Sequence, residues 1–120
     1  MNEENVFHDW LVDHLGASFS RQYTSVRVNR EGEKKNEYQG CYPDIILENH
    51  GMVMGIVEVE TENTVTAEKA EVWKTEASLG VKLVIMAPQA MRAKLMPLLW
   101  DAGIAANVAV GSYELRISMP

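Results

Sequence analysis

Acidic side chains occur in two short motifs that are separated by a predicted turn. Asp44 follows Pro43 at the start of one apolar run, and Glu58 and Glu60 lie at the end of the next. Because side chains alternate along a strand, Glu58 and Glu60 point to the same face. A tight hairpin folds the second strand back beside the first, and a β-bulge or a short offset then brings Asp44 close to Glu58.

The convergence of two or three carboxylates at one sheet edge predicts a cation site. Neighbouring carboxylates repel one another unless a cation neutralises them, and hard oxygen ligands suit Mg²⁺ or Mn²⁺. The strand that carries the glutamates is also apolar at Ile56, Val57 and Val59, so we expect it to be buried on both faces, where acids need a cation or basic partners. Two simpler interpretations stay open: Pro-Asp is common turn chemistry, and paired glutamates occur on the solvated face of edge strands.

Two segments carry a resemblance to a known family. Pro43-Asp44, followed after a gap by Val-Glu-Val-Glu at residues 57–60, resembles the motif of the PD-(D/E)XK nuclease superfamily. The resemblance covers about residues 4–87, and the chain is similar in size to the small archaeal Holliday-junction resolvases. It implies a restriction-endonuclease-like fold and metal-dependent hydrolysis of DNA phosphodiester bonds, with branched DNA among the substrates.

The resemblance also implies roles for individual residues. Asp44 and Glu58 are expected to bind Mg²⁺ or Mn²⁺, the backbone carbonyl of Val59 to lie near the metal, and Glu60 to be a third candidate ligand. Such an ion polarises the scissile phosphate and lowers the pKa of a bound water.

The sequence departs from the family pattern at Glu60, which takes the place of the motif lysine. An anion cannot stabilise the negative charge of a transition state. One interpretation is that the lysine has moved to the next helix as Lys69 or Lys74; Lys69 is preferred because it lies in the first turn. The alternative is a catalytically degenerate binding or assembly module of the same fold. Ordinary helical pairs such as Glu71 with Lys74 also account for the lysines, and an accidental motif in an unrelated α/β domain is a third hypothesis.

The charge distribution restricts the kind of nucleic-acid contact. The 120 residues include 11 basic and 17 acidic side chains, a formal net charge of −6, which excludes a basic protein that coats nucleic acid non-specifically. Residues 21–37 contain five basic and three acidic side chains, a local excess of +2. Arg21, Arg27 and Arg30 are therefore predicted to contact phosphates at a specific docking face; the alternative is a solvated loop of mixed charge.

Hydrophobic periodicity predicts an α/β domain with the order α-β-β-β-α-β-α-β-β, in which helices flank a mixed sheet. Thr66 is the predicted N-cap of the second helix, and Gly80 its terminator. The predicted helices span residues 4–17, 66–79 and 88–102, and the predicted strands span residues 22–28, 42–47, 52–60, 82–86, 107–110 and 113–117.

Composition predicts one domain over residues 1–120, since 47% of the side chains are hydrophobic and 23% are charged. No apolar run is long enough for a membrane span, the acidic N-terminus is unlike a signal peptide, and the single cysteine, Cys41, has no internal partner. We therefore expect a cytoplasmic protein. The last two strands are predicted to form an exposed edge hairpin that serves a homodimer contact.

Overall fold

Five strands form one mixed sheet in the spatial order β1-β2-β3-β4-β5. The first three strands are antiparallel neighbours, and β3, β4 and β5 run parallel to one another. The structure, a computed structural model, describes residues 3–116 and residue 118. The elements are α1 (Glu3–Phe19), β1 (Ser25–Val28), β2 (Ile45–Asn49), β3 (Met52–Val59), α2 (Ala67–Ala77), β4 (Lys82–Pro88), a 3₁₀ helix (Gln89–Met91), α3 (Arg92–Asp101), a second 3₁₀ helix (Ala105–Asn107) and β5 (Val108–Tyr113).

Helices cover both faces of the sheet, as the apolar central strands require. Successive residues of β3 enter different cores: Ile56 packs with Trp73 of α2 and with α3, whereas Val57 packs with Leu11 of α1. The alternation of side chains along the strand explains this division. The strand that carries the acidic motif is therefore fixed from both sides.

The β2–β3 hairpin aligns the two acidic motifs. Ile45 pairs with Val57, so the next residues outward, Asp44 and Glu58, are neighbours. Nearer the turn the register shifts, and Met54 of β3 has no partner on β2. This extra residue is a β-bulge. The predicted offset between the two strands is thereby confirmed.

Helix α2 begins and ends at the predicted signals. The Thr66 hydroxyl accepts a hydrogen bond of 3.1 Å from the backbone N–H of Lys69, which satisfies a donor that the first turn leaves free. Ala70 and Trp73 are buried against the sheet. Gly80, in the turn that follows, has a φ of +85°, a conformation that glycine adopts without strain. The cap and the packing together fix the direction in which Lys69 extends.

The predicted C-terminal hairpin is wrong. Val108–Tyr113 form one continuous strand that is parallel to β4. Gly111 lies inside this strand, where a Cβ would meet the Met86 sulfur, and the chain does not turn there. Residues 114–116 are outside any strand, and Ile117 lies outside the described residues.

Element boundaries differ by a few residues elsewhere. The strands predicted to begin at residues 22 and 42 begin at Ser25 and Ile45, and the helix predicted from Pro88 starts as a 3₁₀ turn before α3.

Among the described residues, no helix combines the length and apolar character needed to cross a membrane.

We expect Ile56→Ala to destabilise the protein by about 2–5 kcal/mol, because it opens a cavity in the core between β3 and α2. Met52→Ala is the matched control on the same strand; its side chain is 70% exposed, and we expect a change within about 0.5 kcal/mol. Urea unfolding of both variants measures the difference. Equal losses of stability would contradict this assignment of the core.

Candidate functional site

Four carboxyl groups gather at the end of β3. Glu58 and Glu60 are buried there, and Glu76 of α2 is buried beside them. Asp44, Glu58, Glu76 and Lys69 line a cleft of about 410 Å³. The structure therefore brings together Asp44, Glu58 and the preferred lysine in one cleft.

Asp44 is held by contacts from two elements. Its Oδ2 accepts a hydrogen bond of 2.8 Å from the backbone N–H of Val59 and lies 3.2 Å from Nε2 of His8. The backbone N–H of Asp44 donates to Oε1 of Glu58 at 3.3 Å. Val59, which was predicted to place its carbonyl near a metal, contacts Asp44 through its amide.

His8 is a site residue that the sequence reasoning missed. The ring is buried, and its Nδ1 lies 3.1 Å from Oδ1 of Asp9. Burial opposes protonation, but the hydrogen bond and charge of Asp44 outweigh it and raise the pKa of His8 to about 9. At neutral pH His8 is therefore a cation paired with Asp44. The sequence feature that could have identified His8 is its helical spacing to Leu11 and Val12, which places all three residues on the buried face of α1.

Lys69 supplies the positive charge that the motif position lacks. Its Nζ lies 3.4 Å from Oε1 of Glu60 and 3.9 Å from Oε2 of Glu58. Oε2 of Glu60 accepts a hydrogen bond of 2.8 Å from the indole N–H of Trp73. Oε1 has no hydrogen-bond partner in the described part of the chain, and its contact with Lys69 is ionic. Lys74, the second candidate, is exposed and does not line the cleft.

Burial and the proximity of other acids raise the pKa values of Glu58 and Glu76. Burial raises the pKa of Glu58 well above its usual range, and the charges of Asp44, Glu76 and Glu60 add to this effect. Burial likewise raises the pKa of Glu76 to about 7, although a hydrogen bond with Glu58 opposes the shift. Two carboxyl groups can share a hydrogen bond only when one of them carries a proton. The raised pKa values of both acids therefore disfavour full ionisation of this pair at neutral pH.

Glu76 was also missed by the sequence reasoning. It follows Trp73 by three residues, and this spacing places it on the buried side of α2. A glutamate at such a position is unusual, because acidic residues are almost never fully buried without a partner.

The three predicted arginines lie in different surroundings. Arg30 lines the cleft, and its Nη2 lies 3.1 Å from Oδ1 of Asp13. Arg27, on the edge strand β1, places its Nε 3.0 Å from Oε1 of Glu48. Arg21 is exposed and follows α1. Of the three, Arg30 is the residue placed to meet a ligand in the cleft.

The side chains around the cleft fit a divalent cation in their chemistry. Within residues 3–116 and residue 118, no group of three or more His, Cys, Asp or Glu side chains is already arranged as a metal centre. The donors are nevertheless carboxylate oxygens, which Mg²⁺ and Mn²⁺ prefer. The four carboxylates at the end of β3 and the cations that contact them, Lys69 and His8, sum to a charge of −2 when all are ionised. Among the residues that the structure describes, Oε1 of Glu76 has no hydrogen-bond partner.

Comparison of this chain with protein-family models, curated proteins and solved structures finds no match. The contacts in the cleft therefore carry the functional assignment.

We expect the stability contributed by His8 to depend on pH. The pKa of His8 rises from 6.5 in the unfolded chain to about 9 in the fold. The contribution is therefore fully present below pH 6.5 and is lost as the pH rises through 9. Its size is on the order of 3–4 kcal/mol, at about 1.4 kcal/mol per pKa unit.

Denaturant unfolding at pH 6 and pH 9.5 checks this expectation. His8→Gln should flatten the loss of stability between the two pH values, whereas His14→Gln, at an exposed position of the same helix, should keep the wild-type profile. The same loss in wild type and His8→Gln would refute the ion pair.

Proposed function

We propose that this protein is a divalent-cation-dependent nuclease of the PD-(D/E)XK type that hydrolyses DNA phosphodiester bonds. Asp44, which directly precedes β2, and Glu58 of β3 line one cleft with Lys69 of the following helix. The order of one helix, three strands, a helix and a strand along residues 3–88 supports a restriction-endonuclease-like core.

The position of Lys69 carries this proposal. In the family motif the lysine follows the second acid on the strand, and here Glu60 takes that place. Lys69 Nζ lies 3.4 Å from Glu60 Oε1, so the helix lysine lies beside the residue that takes the place of the motif lysine. Glu60 therefore directs the lysine toward the cleft and acts as a positioning residue.

Each residue has a role that follows from its contacts. Asp44 and Glu58 would hold the cation, which when bound polarises a phosphate and acidifies a water molecule. The Lys69 side chain is 30% exposed, so its ammonium group reaches the cleft and can neutralise charge that develops on the phosphate. Arg30, at the cleft wall, is placed to contact a neighbouring phosphate.

A second candidate function follows from the same departure from the motif. Glu60 in the lysine position favours a binding or assembly module that has kept the fold and lost catalysis.

The homodimer expected of a nuclease that cuts both strands also stays a prediction, now without the C-terminal hairpin as its contact.

We expect Lys69→Met to lower DNA cleavage by at least about 100-fold, as removal of one group that stabilises transition-state charge does. Lys74→Met is the matched control, because it removes an exposed lysine of the same helix; its rate should stay within about twofold of wild type. Asp44→Asn should abolish cleavage. The assay follows labelled four-way junction, duplex and single-stranded DNA with Mg²⁺ or Mn²⁺.

The outcomes separate the two functions. Cleavage by Lys69→Met at the wild-type rate would contradict the role of the relocated lysine. Binding of DNA by wild type without cleavage, in both cations and on every substrate, would favour the binding module.

A further inference from the structure

We infer that Glu76, rather than Glu60, is the third carboxylate ligand of the divalent cation in this cleft. The inference rests on the proposed function, because it concerns the same cation as Asp44 and Glu58. It assigns a ligand role to a helix residue that lies outside the acidic motif.

Glu60 is committed to other contacts. Its side chain is fully buried, and it does not line the cleft. One carboxylate oxygen accepts the indole N–H of Trp73 at 2.8 Å, and the other lies 3.4 Å from the ammonium group of Lys69. A cation in the cleft would have to displace Lys69 to reach this carboxylate.

Glu76 differs from Glu60 in its access to the cleft. It is only 2% exposed, yet it lines the cleft. Its Oε1 atom is buried and accepts no hydrogen bond from the described residues. Buried polar atoms in native proteins almost always have a partner, and an exception points to a bound ligand or a functional role. An unpartnered carboxylate oxygen at a cleft wall is the atom that a hard cation binds.

The neighbours of Glu76 place it within reach of the same cation. Its carboxyl group lines the same cleft as those of Asp44 and Glu58, and Oε1 of Glu58 accepts the backbone N–H of Asp44. The three carboxyl groups therefore form one set of cleft-lining acids. Helix α2 holds Glu76 in this set, because Thr66 caps its first turn and Trp73 is anchored in the core.

An apolar side chain would satisfy packing at this position equally well. The other residues of α2 on the buried side are Ala70 and Trp73. Retaining a charged group there disfavours folding of the cation-free protein, because a buried charge without a partner is costly. Cation binding offsets this cost, since a ligand that binds only the native state stabilises it.

Titration calorimetry with Mn²⁺ alone tests the inference. We expect Glu76→Gln to weaken Mn²⁺ binding at least about tenfold, since even residues that only support a metal ligand contribute 10–100-fold. Glu71→Gln, which changes an exposed glutamate of the same helix, should change the affinity by less than about twofold. Glu60→Gln should weaken binding less than Glu76→Gln does, and Asp44→Asn should abolish it.

Thermal unfolding of the same variants shows that a loss of binding is not a loss of fold. Without cation, Glu76→Gln should melt at or above the wild-type temperature, because it removes a buried acid whose ionised form is costly; with Mn²⁺ its melting temperature should rise less than that of wild type. Should Glu76→Gln fail to fold, Glu76→Asp keeps the charge and shortens the side chain, and its affinity should lie below that of wild type.

The same measurements distinguish failure of the role of Glu76 from failure of the cation site itself. If Asp44→Asn loses Mn²⁺ binding while the Glu76 variants bind as Glu71→Gln does, the role of Glu76 is overturned and the cation site stands. If wild type binds no Mn²⁺, or Asp44→Asn binds as wild type does, the cation site of the proposed function falls, and the role of Glu76 falls with it.

Discussion

Charge at the end of β3 has to be balanced inside a sheet that is covered on both faces. An ionised carboxylate in such a place needs hydrogen bonds or a cation. Helix α2 brings Trp73 and Lys69 to Glu60, and helix α1 brings His8 to Asp44. Polar contacts therefore tie two helices on opposite faces to the same strand end, and the cleft lies where these contacts meet.

Rigid elements hold the candidate catalytic groups. Ile56 and Val57 of β3 enter separate apolar cores, and the next residue is Glu58. A side chain beside two packed positions has little conformational freedom. A site that binds a cation and a phosphate needs such fixed side chains. The apolar cores thus offset the energetic cost of the buried acids one residue away.

Local signals made part of this arrangement predictable. A proline, a turn and an N-cap mark the hairpin and the start of α2, so the position of Lys69 followed from the sequence. Long-range contacts were not predictable in the same way. Gly111 looked like a turn but accommodates Met86. His8 meets Asp44 across 36 positions of the chain, and Glu76 on a polar helix looked like one more solvated acid.

The acids and the lysine belong to separate elements, and this has an evolutionary consequence. Strand pairing fixes Asp44 and Glu58, so changes there disturb the sheet as well as the chemistry. Lys69 lies near the start of a helix whose position depends on Thr66 and Trp73. Under the proposed function, a single codon change at residue 69 would remove or restore the catalytic charge. A lineage with this architecture would then move between enzyme and scaffold by a short mutational path.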